Sequence, residues 1–285
     1  MNKSVVGAVV VFFAALAQSP PEDFVCPMDK DVRAAAPGLC RRCGMRLVAN
    51  LPEMEEFQLE VITRPKAIDA GKPVEMEFQV LRPGSREAAA DFVVVHEKLF
   101  HLFLVSHDLR HFAHEHPEPA ADGRFRFRHV FPAPGAYRVV ADCFPRGGTP
   151  QFLTRTLITR DAPVGELARV PKLEKDLAPQ KGENLTVELL TEPPQPLAGK
   201  ETLLFFRLRP GDGLEQYLGA WGHMLAASAD LIDVVHDHPL YVTEGPQIQF
   251  NLIFPREGVY RVWVQFQRNG VVNTVAFNVR ANALR

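Results

Sequence analysis

From Phe57 onward the chain is a succession of short apolar runs in which hydrophobic and polar residues alternate. Tyr137, Val139, Ala141 and Cys143 fall on one face of such a run, and Tyr260, Val262, Val264 and Phe266 do so in a later one. A period of two marks a strand with one buried face. Nineteen Gly and twenty-four Pro punctuate runs rich in Val, Phe and Leu, so the pattern predicts an all-β chain with many turns. The front of the chain differs. Lys3 precedes an apolar run from Val5 to Leu16, and Ala15-Leu16-Ala17 stands before Gln18. That run is short for a spanning helix, which needs about 20 residues, and reads as a secretory signal peptide over residues 1–17. The expectation is an exported protein, periplasmic or secreted, that touches a membrane only through a signal or anchor segment.

The β region repeats itself. When His101 is set against His223, Ser106 meets Ser228, Asp108 meets Asp230, and His114-Glu115-His116-Pro117 meets His236-Asp237-His238-Pro239 without a gap. One residue of slip later, Phe131-Pro132 meets Phe254-Pro255, Gly135 meets Gly258, and Tyr137-Arg138-Val139 meets Tyr260-Arg261-Val262. Two copies follow, over residues 55–160 and 183–281, with a linker at 161–182 rich in Pro, Lys, Glu and Asp and a helical turn expected around Leu173 to Leu177. Each copy has short strands and a Gly-x-Tyr turn before a late strand, and so resembles an immunoglobulin-like β-sandwich. The expected fold is mainly β, with a small Cys-rich module at 24–49 followed by two tandem immunoglobulin-like β-sandwich domains.

Charge narrows the partners. The net charge of −2 and a pI near 6.6, with no Lys/Arg cluster longer than Arg41-Arg42, leave no electrostatic footprint for nucleic acid or an acidic membrane surface.

Soft donors are concentrated at the start of the mature chain. Cys26, Met28, Cys40, Cys43 and Met45 fall within twenty residues. Cys40-x-x-Cys43 is a knuckle whose tight turn aims two sulfurs at one ion, each about 2.3 Å away. Cys26 supplies a third thiolate, and such donors select copper or zinc over Mg or Ca. Three sulfurs suffice for Cu(I). A closed zinc site needs a fourth ligand, which Asp29, a distant His, Met28 or Met45 could give. The competing reading is a Cys40–Cys43 disulfide, with Cys26 free or paired with Cys143. Cys143 itself stands where the second copy has Phe266 and reads as a core thiol.

The segments Phe24-Val25-Cys26-Pro27-Met28 and Pro37-Gly38-Leu39-Cys40-Arg41-Arg42-Cys43-Gly44-Met45 resemble the small heavy-metal-binding domain at the front of copper-transporting P-type ATPases and on some periplasmic copper/silver efflux adaptors. The likeness covers residues 24–48. That family usually continues the Cys-Pro-Met triplet with His-Pro, where this chain has Asp29-Lys30, so one imidazole is missing. The resemblance implies a heavy-metal site at Cys26, Cys40 and Cys43, with Met28 and Met45 as further soft contacts, and a transport or efflux partner.

Nine of the ten histidines lie in the corresponding stretches His96 to His116 and His223 to His238. On a strand His114 and His116 share a face, with Cα atoms about 6.8 Å apart. His101 on a neighbouring run could complete three ligands, as could His223 with His236 and His238. Such triads suit Cu(II) or zinc. The plainer reading has these imidazoles hydrogen-bonded to backbone or to Glu115 and Asp237. The first copy also looks like extracytoplasmic β domains that accompany copper-handling genes in bacteria.

No GxSxG elbow, HExxH helix or phosphate-binding loop appears, and consecutive Ser106, His107 and Asp108 cannot converge on one atom, so no enzyme is expected. The functional expectation is an exported copper- or zinc-binding protein that captures a soft ion and passes it on. The alternative is a zinc-stabilised extracytoplasmic scaffold with no carrier role. A metal-dependent enzyme built on three imidazoles is a third possibility.

Overall fold

The computed structural model describes residues 23–29, 32–50, 56–167, 169–239 and 246–284. The export-signal expectation therefore lies outside the described residues. Among those described, no helix is long and apolar enough to cross a membrane.

The Cys-rich module is a three-stranded antiparallel sheet of β1 (Asp23–Val25), β2 (Arg33–Ala34) and β3 (Val48–Asn50), with β1 in the middle. Its core is small, built on Cys26, Val32, Cys40 and Leu47 with Phe24 and Met28 packed against them.

The first sandwich comprises β4 (Gln58–Arg64), β5 (Pro73–Leu81), β6 (Phe100–Ser106), β7 (Phe112–Glu115), β8 (Glu118–Pro119), β9 (Phe125–Val130), β10 (Ala136–Cys143) and β11 (Gln151–Ile158). They form two sheets, β4-β5-β9-β8 and β11-β10-β6-β7. After the helical turn α1 (Val164–Leu167), the second sandwich comprises β12 (Gln180–Lys181), β13 (Thr186–Glu192), β14 (Glu201–Arg209), β15 (Leu214–Glu215), β16 (His223–Ser228), β17 (Val234–Asp237), β18 (Gln247–Ile253), β19 (Gly258–Arg268) and β20 (Val271–Ala281). Its sheets are β12-β13-β14-β18 and β15-β19-β16-β17, with β20 on the other side of β19. The expected fold is the observed one: tandem β-sandwiches with an internal repeat.

Local chemistry repeats with the topology. Tyr137 Oη donates to Ala133 O at 2.6 Å, and Tyr260 Oη donates to Arg256 O at 3.1 Å. Each is a tyrosine corner, which pins the loop before a late strand. Ser106 and Ser228 donate to Asp108 and Asp230 and close equivalent turns, so Ser106-His107-Asp108 is a turn and not a catalytic set. The interdomain segment differs from expectation. Its helical turn is Val164–Leu167 and not Leu173 to Leu177. Instead Asp176 bridges Asn278 of β20 and Leu173 packs at the domain junction, because burying Leu173 outweighs the local helix preference of its neighbours.

β6 and β16 are buried along their whole length. On β6, Phe100, Leu102 and Leu104 face the sandwich interior, while Phe103 and Val105 pack with Val140, Leu225, Ala227 and Trp263 in a separate core shared by the two domains. The sheet β11-β10-β6-β7 thus lies against β19-β16-β17 through its outer face. Residues of Phe103's parity point into that junction. They include His101.

Candidate metal centre

The sulfur site is assembled by the turn after β1 and by the knuckle. Cys40 N donates to Met45 O at 2.7 Å and Gly44 N to Cys40 O at 2.9 Å. Gly44 has φ of 73°, the left-handed region that glycine takes without a steric penalty. The tightened turn directs Arg42 N and Cys43 N at Cys40 Sγ, 3.4 and 3.5 Å away, and the turn after β1 directs Asp29 N at Cys26 Sγ, 3.2 Å away. Such donors stabilise thiolates. Cys26 Sγ and Cys43 Sγ are 3.4 Å apart, hydrogen-bonded and not joined by a disulfide.

Asp29 fills the position left open by three cysteines. Its Oδ2 accepts from Cys40 Sγ at 3.2 Å and from Cys26 Sγ at 3.7 Å, while Arg42 Nη1 holds Oδ1 at 3.1 Å. The donor atoms of Cys26, Asp29, Cys40 and Cys43 all lie within 4.8 Å of one another. The hydrogen bond from Cys43 lowers the Cys26 thiol to about 7, with backbone N–H groups adding to the effect against burial. Cys43 is pushed up by that same bond and by burial, and Cys40 is raised mainly by burial. One thiolate therefore forms readily near neutral pH. The other two hold their protons there. Met28 packs on this core and Met45 supplies a backbone carbonyl to the turn. Cys143 lies apart, in the core of the first sandwich.

The histidines converge somewhere the sequence did not indicate, at the junction between the sandwiches. His101 on β6 and His116 just beyond β7 bring Nδ1 and Nε2 to 3.2 Å, and His114 Nε2 lies 3.3 Å from the same His101 Nδ1. In the second sandwich His238 Nε2 lies 2.7 Å from His223 Nδ1. Their outer nitrogens find matched partners. His101 Nε2 donates to Val95 O at 2.9 Å, and His223 Nε2 donates to Tyr217 O at 2.7 Å. His114 Nδ1 donates to Gln265 Oε1 at 2.7 Å, and His236 Nδ1 to Asp142 Oδ2 at 2.8 Å. The last two bonds cross between domains. Gln265 and Asp142 are equivalent positions, paired with His223 and His101 across neighbouring strands. The repeats are therefore related by a pseudo-two-fold axis through the imidazoles. Glu115 and Asp237, the expected side-chain partners, are not the acceptors used.

Burial disfavours a positive charge on His101, His114, His116, His223 and His238. Desolvation, followed by the mutual repulsion of imidazolium charges, lowers His101 to about 4 and His116 to about 3, and holds His114, His223 and His238 well below the usual range. His96 is lowered to about 3 for the same reasons. Its ring stacks on His238 with centroids 3.6 Å apart. The second copy has Leu218 at the equivalent position, so His96 carried no repeat signal that would have singled it out.

A family model described as a domain of unknown function (DUF8832) matches the chain twice, over residues 54–159 and 180–283. The chain belongs to this family. Each DUF8832 repeat contributes three of these imidazoles, and the Cys-rich module precedes both matches. No curated protein matches the chain. Among solved structures the chain is similar to FdeC, an Escherichia coli adhesin, at 12% identity over 85% of this chain and 69% of that one, with a TM-score of 0.26. A putative membrane-anchored protein of Corynebacterium diphtheriae aligns at 9% identity over 80% of this chain and 60% of that one, TM-score 0.24. The FN1–FN3 domains of chicken CNTN1 align at 11% identity over 82% and 71%, TM-score 0.22. Likeness at this level concerns chain trace and carries nothing about chemistry.

Proposed function

We propose that this is an exported heavy-metal-binding protein, for copper or zinc, which captures a soft ion in its N-terminal module and passes it on in metal homeostasis or resistance. The observation that carries this reading is the convergence of Cys26, Asp29, Cys40 and Cys43 donor atoms within 4.8 Å. Three sulfurs and N–H···S bonds match the needs of a soft cation, and the likeness of residues 24–48 to the heavy-metal-binding domains of copper ATPases and efflux adaptors agrees with them. Cys26 and Cys40 are buried while Cys43 is half-exposed, so the ion would enter and leave by the Cys43 side. Exchange of ligands there would deliver it to a partner such as an efflux transporter or adaptor. The apolar segment Val5 to Leu16 supports export.

A second reading draws on Asp29. A carboxylate oxygen as fourth donor suits zinc and gives a closed four-ligand set, the mark of a structural site. The protein would then be a zinc-stabilised extracytoplasmic scaffold. Competition separates the two readings. Zinc-loaded protein is exposed to cuprous ion under anaerobic conditions. A carrier exchanges its zinc for copper within minutes and releases it to a chelator, whereas a scaffold retains stoichiometric zinc.

A further inference from the structure

The two imidazole triads meet across the domain junction, and we propose that they form a second metal centre, holding a pair of imidazole-preferring d-block ions of the copper and zinc class. One ion is held by His101, His114 and His116, whose donor atoms lie within 4.8 Å of one another; the other is held by His223 and His236, which meet His114 at the same spacing, and takes His238 as a further ligand in exchange for its hydrogen bond to His223. This site shares no residue with the sulfur module.

Tautomers support the assignment. A backbone carbonyl only accepts, so Val95 O and Tyr217 O fix hydrogen on Nε2 of His101 and His223 and leave each Nδ1 with its lone pair directed inward. Gln265 turns its Nε2 toward Thr274 Oγ1 and its oxygen toward His114. Asp142 Oδ2 stands in the same way at 2.8 Å from His236 Nδ1. His114 and His236 thus carry hydrogen on Nδ1 and direct Nε2 inward. An acceptor behind the far ring nitrogen in this way orients an imidazole ligand toward a metal.

The spacing agrees. Two nitrogens bound to one ion at about 2.0–2.1 Å in tetrahedral geometry stand about 3.3–3.4 Å apart. His101 Nδ1 meets this spacing with both His114 Nε2 at 3.3 Å and His116 Nε2 at 3.2 Å. Two lone pairs held 3.3 Å apart repel unless a cation lies between them. In the second triad His223 and His238 are drawn together by a hydrogen bond of 2.7 Å, which an ion would replace. His236 Nε2 is buried with no hydrogen-bond partner, and the His236 side chain is 1% exposed. Leaving such groups unsatisfied is costly, and a metal ion is one way to satisfy them. The donor atoms of His114 also approach those of His223 and His236 within 4.8 Å. The two triads are therefore contiguous.

The test uses the full chain carrying Cys26→Ser, Cys40→Ser and Cys43→Ser, which removes the sulfur ligands and leaves the junction intact. It is loaded anaerobically with cuprous ion, and separately with zinc, then desalted and assayed for metal per chain. Two ions per chain are expected for at least one of these metals, with X-ray absorption showing nitrogen neighbours and no sulfur. Adding His116→Asn, at the half-buried rim, reduces the count to one while near-ultraviolet circular dichroism shows the tertiary packing retained. Adding His238→Asn does the same from the other repeat. Zero or one ion in the triple serine chain overturns the proposal. Metal lost between the wild type and the triple serine variant reports the sulfur site separately, so either reading can fail alone.

Discussion

His236 of the second sandwich donates through Nδ1 to Asp142 of the first at 2.8 Å, and the pseudo-symmetric bond runs the other way, from His114 to Gln265. Each repeat thus supplies the acceptor that orients the other repeat's imidazole. Gln265→Ala leaves the buried His114 Nδ1 without a partner and is expected to cost about 1–3 kcal/mol. Gln265→Glu keeps an acceptor and recovers most of that loss. Urea unfolding of the metal-free variants measures the difference, and equal stability of the two variants would count against the bond.

The junction's apolar half predicts that the sandwiches unfold together. Trp263 is 4% exposed and lies nearly parallel to Phe112, with centroids 5.0 Å apart. Trp263→Ala is expected to destabilise the chain by about 3–5 kcal/mol and to split a single calorimetric transition into two. A wild type that already melts in two separate steps contradicts a shared core.

Acid should weaken the metal-free fold. An unfolded His titrates near 6.5, whereas burial lowers His101 to about 4 and His96 and His116 to about 3. Below pH 6.5 the unfolded chain takes up protons that the folded chain refuses. Stability is therefore full above about pH 7 and falls as pH drops toward 4, by up to about 1.4 kcal/mol per pH unit for each such ring. The melting temperature followed from pH 7.5 to 4.5 checks this. A flat profile would mean that the rings take up protons as readily in the fold as in the unfolded chain.

Much of the fold was legible because both repeats obey the strand period. Tyr137, Val139, Ala141 and Cys143 face the first core, and Tyr260, Val262, Val264 and Phe266 face the second, as their alternation predicts. The His101-His114-His116 grouping was readable from strand parity. What could not be read is that the outer faces of β6 and β16 are buried against each other, because a strand covered on both sides shows a continuous apolar run and the run does not name its partner. Asp142 and Gln265 differ in type, so the repeat comparison did not link them. His96 enters through a turn, where no periodicity applies.

In the module, Asp29 ties the ligand set to Arg42. Arg42→Ala frees Oδ1, which the guanidinium holds at 3.1 Å, and removes the restraint that aims Oδ2 at the sulfurs. Loss of such an outer-shell partner is expected to weaken metal binding by about tenfold or more. Competition against a chromophoric chelator gives the affinity, and an unchanged Kd would show that Asp29 is held without Arg42.

The central claim is that Cys26, Cys40 and Cys43 converge on one soft cation. The direct measurement compares the metal content of reduced wild-type protein and of the triple serine variant after anaerobic loading with cuprous or zinc ions. The account predicts one more tightly held ion per chain in the wild type, with sulfur in its X-ray absorption spectrum. Equal metal content and no sulfur scattering in the wild type would contradict it.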